Sequence, residues 1–344
     1  MKNLIKIKGD ASFRSFFRKK NNNYTSIVVV AKKEKLKNLL IYDAINKILN
    51  KNKILAPNLY KENYSKNFIE IQDFGNETIF KKLNKKKTNK IFYFKKIIDL
   101  LNKVQSIRDK KTKNFKNKNY TIPKYDRKLL VKEANLFCEW YAKKNLSKLK
   151  HNKFSKEFKK IINKLASSLK LKNNCFVHRD FHISNLMLVK NHIGLIDNQD
   201  ALIGNKAYDL ASLIDDVRFE TSKSLKKKIY NFYLKKQKKL DKKKFRNDFE
   251  ILSILRNLKI VGIFTRLAMR DGKKKYLKLI PYTWELIDLR INENKVFHDL
   301  KKLLNQNFKR KLNANKYSIN TLCGIRKKIK PNNFNNTKAS FRDR

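Results

Sequence analysis

Cysteine, glycine, proline and acidic residues are all scarce in this chain of 344 residues, and each shortage narrows what it can be. Three cysteines, Cys138, Cys175 and Cys323, stand far apart without paired spacing. That excludes a disulfide framework and a cysteine metal site, and it fits a reducing compartment. No segment reaches the about 18 uninterrupted apolar residues of a membrane span, and the opening MKNLIKIKGD lacks the apolar centre of a signal peptide. The expectation is a soluble, cytoplasmic protein with no membrane partner. No Gly-x-x-x-x-Gly-Lys-Ser/Thr sequence occurs, which excludes the P-loop class, and no internal repeat is visible.

The acid shortage sets 29 Asp plus Glu against 85 Lys plus Arg, a formal charge of +56. Such a value points on its face to nucleic acid. The excess, however, is mostly lysine, runs along nearly the whole chain, and accompanies abundant Asn, Ile, Phe and Tyr. That is the drift of an AT-rich genome, which leaves most lysines as solvated surface, so bulk nucleic-acid binding is not the expectation. Nothing in the sequence fixes an oligomeric state.

With 41% hydrophobic residues the chain can bury one large core or two lobes sharing an interface. Partial apolar alternation from Leu4 to Ala31, broken at Gly9-Asp10 and at Asn21-Asn22-Asn23, predicts three strands in a meander. Helical spacing follows over 34–50, and Phe68 to Gly75 reads as a further strand ending in a turn. Longer helices are expected over 90–108, 127–147 and 155–171, with the Lys/Asn-rich stretch 109–124 as a solvated loop. Between Cys175 and Asp200 a compact β segment interrupts the helices: CFV, the polar loop HRDFHISN, then LMLV and IGLID as a hairpin around Lys190-Asn191-His192. Amphipathic helices resume at about 207–219, 222–239, 244–270 and 283–305. The organisation predicted is an α+β, two-lobe chain: residues 1–80 as an N-lobe, 81–307 as a helical C-lobe, and 308–344 as a poorly ordered basic tail.

Every chemically distinctive residue falls in that β segment. Phosphoryl transfer needs a carboxylate to orient the attacking hydroxyl, oxygen ligands for magnesium, and donors for the spread negative charge. Asp180 and Asn185, five positions apart, can put a carboxylate toward an acceptor and an amide oxygen toward a metal from two ends of one loop. The hairpin's second strand ends in Leu195-Ile196-Asp197 and can return a carboxylate beside that amide.

The sequence HRDFHISNLMLV…IGLIDNQDALIGNKAYDLASLIDD resembles the catalytic segment of the aminoglycoside-phosphotransferase and choline-kinase-like superfamily. The resemblance implies a protein-kinase-like bilobal fold, with a small antiparallel sheet plus helix and a larger helical lobe. It further implies ATP and Mg²⁺ as cofactors, Asp180 as catalytic base, Asn185 and Asp197 as metal ligands, His178 as a structural loop residue, and Asp209 as a brace beginning a helix. GDASFRSFFR, with the same segment, is similar to the bacterial anomeric kinases of N-acetylmuramate and N-acetylglucosamine in cell-wall recycling. In them the GDAS turn lies over the nucleotide phosphates, so Gly9, Asp10, Ala11, Ser12 and Arg14 become candidates on the phosphate side. Glu70, Gln72 and Asp73, with Phe74, mark where adenine is expected, held mainly by backbone. The resemblance covers roughly residues 4 to 305, the stretch 80 to 170 only in helical character.

Two departures stand out. Asn198 occupies a position where many relatives carry an aromatic residue, a change expected to matter little. The third strand carries Val28, Val29 and Val30 where most of the superfamily has a phosphate-binding lysine; Lys32 or Lys33 could replace it, although both also read as surface.

Blander readings remain for single residues. Asp180 alone could cap a turn. His182 is a site residue near sugar or metal, or else a solvated loop histidine, while Arg179 and Asp200 are candidates beside substrate or behind Asp197. His178 and His182 share the spacing of a zinc helix, but Arg179 stands where that motif needs Glu. Phe92, Phe94, Phe137, Trp140 and Tyr141 read as core. The segment from Leu322 to Pro331 faintly resembles the opening of sugar-1-phosphate nucleotidyltransferases, against the reading as a plain basic tail. Two other functions stay open: a kinase for an aminoglycoside, choline or other amino alcohol, and a non-catalytic, kinase-shaped nucleic-acid-binding protein.

Overall fold

Residues 4–7, 14–292 and 294–312 are described by the computed structural model. The GDAS turn, Cys323 and the segment from Leu322 to Pro331 lie outside them. Strands β1 (Leu4–Ile7), β2 (Ser15–Lys20) and β3 (Thr25–Val30) form the meander, helix α1 (Lys37–Lys51) follows, and β4 (Leu59–Asn63) and β5 (Phe68–Gln72) complete a sheet of order β1-β2-β3-β5-β4. Every neighbouring pair is antiparallel. Because side chains alternate across a sheet, Phe16, Ile27, Val29, Ile69 and Ile71 share one face, and α1 covers it with Leu39 and Tyr42.

The helical lobe begins with α2 (Ile79–Leu83), capped by Thr78, and α3 (Lys90–Ser106), capped by Asn89. The stretch expected to be a solvated loop instead holds a short hairpin, β6 (Lys111–Lys113) and β7 (Asn119–Thr121). Asn114 at its tip and Ile122 beyond it are buried. Three Lys/Asn-rich residues per strand are too few for a period-two pattern to show in sequence. Next come α4 (Arg127–Ala134), a π-helical turn at Phe137–Ala142, α5 (Lys143–Asn145) and α6 (Lys148–Ser167).

Strands β8 (Cys175–Val177), β9 (Leu186–Val189), β10 (His192–Leu195) and β11 (Leu202–Gly204) form two small antiparallel pairs, β9 with β10 and β8 with β11. Helices α7 (Ala207–Ile214), α8 (Lys223–Lys235), α9 (Lys242–Met269), α10 (Ile280–Ile291) and α11 (His298–Leu312) close the lobe. α9 is buried on nearly all sides. At Gly262 it approaches the π-helical turn so closely that an added Cβ would stand 2.3 Å from the Leu136 carbonyl, so only glycine fits. Behind the lobe, buried Asp215 accepts from Arg290 at 2.9 and 3.1 Å and from Ser253 at 2.6 Å, with Lys226 at 3.3 Å.

Two core assignments need correction. Phe92 is 48% exposed, unlike Phe94, Phe137 and Tyr141, because it lies on the outer side of α3. Phe308, placed at the start of the tail, is buried against Phe137, Tyr141, Phe154 and Trp284; its own backbone kinks the helix (φ −134°, ψ 25°), which resumes to Leu312. Basic composition hid that anchor. Among the described residues no helix is long and apolar enough to cross a membrane.

Candidate active site

The β9–β10 hairpin fixes the backbone of Asn185 against that of Ile196. Leu186 pairs with Leu195, and the Ile196 amide donates to the Asn185 carbonyl at 3.1 Å. Asn185 and the residue before Asp197 are therefore held side by side across the hairpin.

Upstream, the loop carrying Asp180 is anchored by Asp209. Its buried carboxylate accepts the backbone N–H groups of His178 at 2.7 Å and Arg179 at 3.0 Å. Burial pushes Asp209 up to about 6, against the pull of His178 and those two donors. The anchor matters because Arg179 has a left-handed backbone, φ 72°, and Asp197 another, φ 64°. Such residues cost on the order of 1–3 kcal/mol each and persist where surrounding contacts impose them.

His178 is fully buried and joins a directed chain. Asn198 donates through Nδ2 to the Leu195 carbonyl at 3.0 Å and to Asn46 Oδ1 at 2.8 Å, so its own Oδ1 must accept from His178 Nε2 at 2.8 Å. Asn46, on α1, donates in turn to the Pro57 carbonyl at 2.9 Å. The chain ties the loop of Asp180 to the helix of the small lobe. Asn198 thus occupies a central position, contrary to the expectation that the change there matters little.

The Asp180 carboxylate is half-buried and takes no hydrogen bond from any described residue, while its carbonyl accepts from Asn185 Nδ2 at 3.1 Å. Burial alone would raise its pKa. Nearby positive charge, Lys259 foremost with Arg179 and Arg256 behind it, instead holds it well below the ordinary carboxylate range. Lys259 is itself held by Glu133 at 3.0 Å and by the Tyr208 hydroxyl at 3.4 Å. Glu133 also accepts from Arg179 and from the Tyr125 hydroxyl. Arg179 further donates to the Asp200 carbonyl at 3.3 Å. His182, left open between site and solvent, is buried; burial, aided by Arg218, pushes it down to about 4, so its ring is neutral.

Arg14 enters from the start of β2 and is buried, its guanidinium lying 5.4 Å from the Phe16 ring centre and 5.6 Å from that of Tyr42. It donates to Asp197 Oδ1 and, at 2.8 Å, to Gln199 Oε1. Gln199 bridges Asp197 at 3.2 Å and Asp200 at 2.8 Å, which is how Asp200 stands behind Asp197. Lys32 and Lys33 are exposed. Arg14 is the cation that the sheet actually delivers to Asp197.

The expected adenine segment is occupied differently by its side chains. Glu70 lies on the sheet face opposite α1 and accepts from Ser26 at 2.6 Å and Lys19 at 3.1 Å. Gln72 accepts from Asn58 at 3.2 Å. Asp73 takes Arg18 at 2.5 and 3.0 Å and the Gly75 amide at 2.8 Å. These side chains are engaged within the small lobe, so this segment could serve a base only through its backbone. A groove of about 640 Å³ lined by Lys53, Lys96, Lys103 and His192 touches none of the residues above.

The donor set suits a hard divalent ion. Asn185 spends Nδ2 on the Asp180 carbonyl, which turns Oδ1 the other way, and Asp197 supplies a carboxylate. Among the described residues no group of three or more His, Cys, Asp and Glu could cage a metal. Two oxygen ligands with the remainder left to water and phosphate is how Mg²⁺ is held beside nucleotides.

A small sheet with one covering helix, a helical lobe, and a strand–loop–hairpin carrying paired carboxylates define the protein-kinase-like architecture. Residues 3–242 match the family model described as phosphotransferase enzyme family, and the chain belongs to that family. It is 26% identical over 307 residues to the N-acetylmuramate/N-acetylglucosamine kinase of Pseudomonas aeruginosa, covering 88% of this chain and 87% of that protein. It is 36% identical over 166 residues to the Neisseria meningitidis protein of the same name, spanning 46% of this chain and only 50% of that one. Similar folds are a choline/ethanolamine kinase family protein from Mesorhizobium loti (TM-score 0.58, 10% identity, 88% and 92% covered) and an ethanolamine kinase from Plasmodium vivax (TM-score 0.57, 14% identity, 82% and 81% covered).

Proposed function

We propose that the protein is an ATP-dependent kinase of N-acetylated amino sugars, phosphorylating the anomeric hydroxyl of N-acetylmuramate or N-acetylglucosamine in cell-wall recycling. The observation that carries this reading is Asp180: a charged carboxylate without a hydrogen-bond donor, on a loop braced by Asp209, beside two oxygen ligands from one hairpin. Asp180 orients the sugar hydroxyl and takes its proton as the new O–P bond forms and the bond to the departing ADP breaks. A carboxylate of such low basicity receives the proton late, which suits a loose transition state whose nucleophile needs little activation. Asn185 and Asp197 would hold Mg²⁺, whose charge offsets that of the phosphates. Arg14 supplies the fixed positive charge that a third-strand lysine gives elsewhere in the superfamily.

A cationic acceptor, as in the aminoglycoside or amino-alcohol readings, needs carboxylates lining its site. Here Lys259, Arg179, Arg218 and Arg256 act on Asp180 and His182. An uncharged or anionic acceptor is favoured. The test is incubation of purified protein with ATP, MgCl₂ and each sugar, following ADP and acid-labile sugar 1-phosphate. Equal amounts of both products are expected; ATP use with amino alcohols or aminoglycosides alone would replace this reading, and salt-dependent nucleic-acid binding without turnover would return the non-catalytic one.

A further inference from the structure

Arg256 stands one turn before Lys259 on α9, and the two cations have different surroundings. Lys259 is compensated by Glu133 at 3.0 Å. Arg256 is 4% exposed, makes no hydrogen bond or ion pair with any described residue, and its Nη1 is shut from solvent without a partner. Its electrostatic influence falls on Asp180 and His182. Asp180 faces it as a counter-charge but takes no hydrogen bond from it, and a buried guanidinium without an acceptor is a group that calls for a ligand to complete it.

Two other buried atoms in the same surroundings lack partners, Nδ1 of His182 and Oδ2 of Asp216. Asn185 donates to the Asp180 carbonyl and faces His182 Nε2 at 3.5 Å, which makes Nε2 the acceptor and puts the ring proton on Nδ1. Asp216 uses Oδ1 on the Arg218 amide at 3.0 Å, leaving Oδ2 as an acceptor. His182 lies within electrostatic reach of Asp216, Arg218, Asp180 and Arg256. The cluster thus offers a guanidinium, an N–H donor and a carboxylate acceptor beside the base.

We infer that Arg256 binds the carboxylate of an acidic acceptor sugar, with His182 and Asp216 taking the sugar's neutral polar groups, so that this site prefers N-acetylmuramate, which carries a carboxylate, over N-acetylglucosamine, which lacks one. The inference rests on the sugar-kinase reading above and names the residue that selects within it. A charge-assisted, two-pronged contact of this kind is worth roughly tenfold to a hundredfold in selectivity.

The test compares wild type, Arg256→Gln and Arg256→Lys in kcat/KM for both sugars and, independently of turnover, in calorimetric binding of both. The expected result is a tenfold to hundredfold fall in the N-acetylmuramate to N-acetylglucosamine ratio for Arg256→Gln, partly restored in Arg256→Lys. An unchanged ratio, or a wild type that binds the neutral sugar as tightly as the acid, overturns it. Binding of the acid without phosphorylation would sink the kinase reading and leave the Arg256 contact standing. Should Arg256→Gln fail to fold, the Arg256→Lys ratio decides alone.

Discussion

Asn198→Ala removes three buried hydrogen bonds at once: one accepted from His178 at 2.8 Å, and two donated, to Asn46 at 2.8 Å and to the Leu195 carbonyl at 3.0 Å. At roughly 1 kcal/mol net for each bond the loss is about 3 kcal/mol, and leaving the His178 N–H buried without an acceptor takes it toward 4 or 5. Asn46→Ala breaks two bonds, to Asn198 and to the Pro57 carbonyl, for about 2 kcal/mol. Since one bond is common to both variants, the double variant should lose about 1 kcal/mol less than the sum. Urea unfolding of the four proteins measures all three quantities. Because the chain joins the loop of Asp180 to the small-lobe helix, both variants should also raise the KM for ATP more than that for the sugar. A loss under about 1 kcal/mol for Asn198→Ala, with additive behaviour in the double variant, would show that the chain does not couple the lobes.

Asp180→Asn should lower kcat by roughly 10²- to 10⁴-fold in the coupled ADP assay, and it should also lower the melting temperature at neutral pH, since the cations that hold this carboxylate's pKa down would lose their counter-charge. Arg14→Met should raise the KM for ATP roughly tenfold or more, and a KM within twofold of wild type would remove Arg14 from the phosphate site. Asp209 gives a pH signature. Its folded value of about 6 exceeds the ordinary 3.8, so between those values the folded chain holds a proton the unfolded chain has lost, and stability falls as pH rises through that window. Asp209→Asn should flatten that slope in melting temperature against pH, at the expense of a weaker grip on the catalytic loop and a lower kcat.

The residues that sequence alone exposed are those whose partners lie nearby in the chain. Asp180, Asn185 and Asp197 are spaced by a loop and a hairpin, so their proximity follows from strand pairing, and Asp209 lies one short strand further on. Residues brought from other elements left no comparable trace. Glu133 on α4, Lys259 and Arg256 on α9 and Asn46 on α1 reach the site only through helix packing, and in a chain with 85 Lys plus Arg a functional cation has no compositional contrast. Asn198 was undervalued because its importance lies in the two ends of a hydrogen-bond chain, neither of which its neighbours in sequence disclose. Arg14 stood out only through its place in the GDASFRSFFR resemblance; what it pairs with became clear from the sheet. The β6–β7 hairpin and the Phe308 anchor escaped for a simpler reason, since lysine and asparagine mask short elements.

The pairing of Arg14 with Asp197 has a kinetic corollary. Arg14 and Asp197 neutralise each other, so if Asp197 is the metal ligand proposed above, a lone divalent cation arriving there would first have to displace a guanidinium. A nucleotide that carries its cation with it offers phosphate oxygens in return, and the exchange proceeds without stranding either charge. Loading should therefore be concerted, with free metal ions by themselves held weakly, and the resting protein guarded against stray cations by its own arginine.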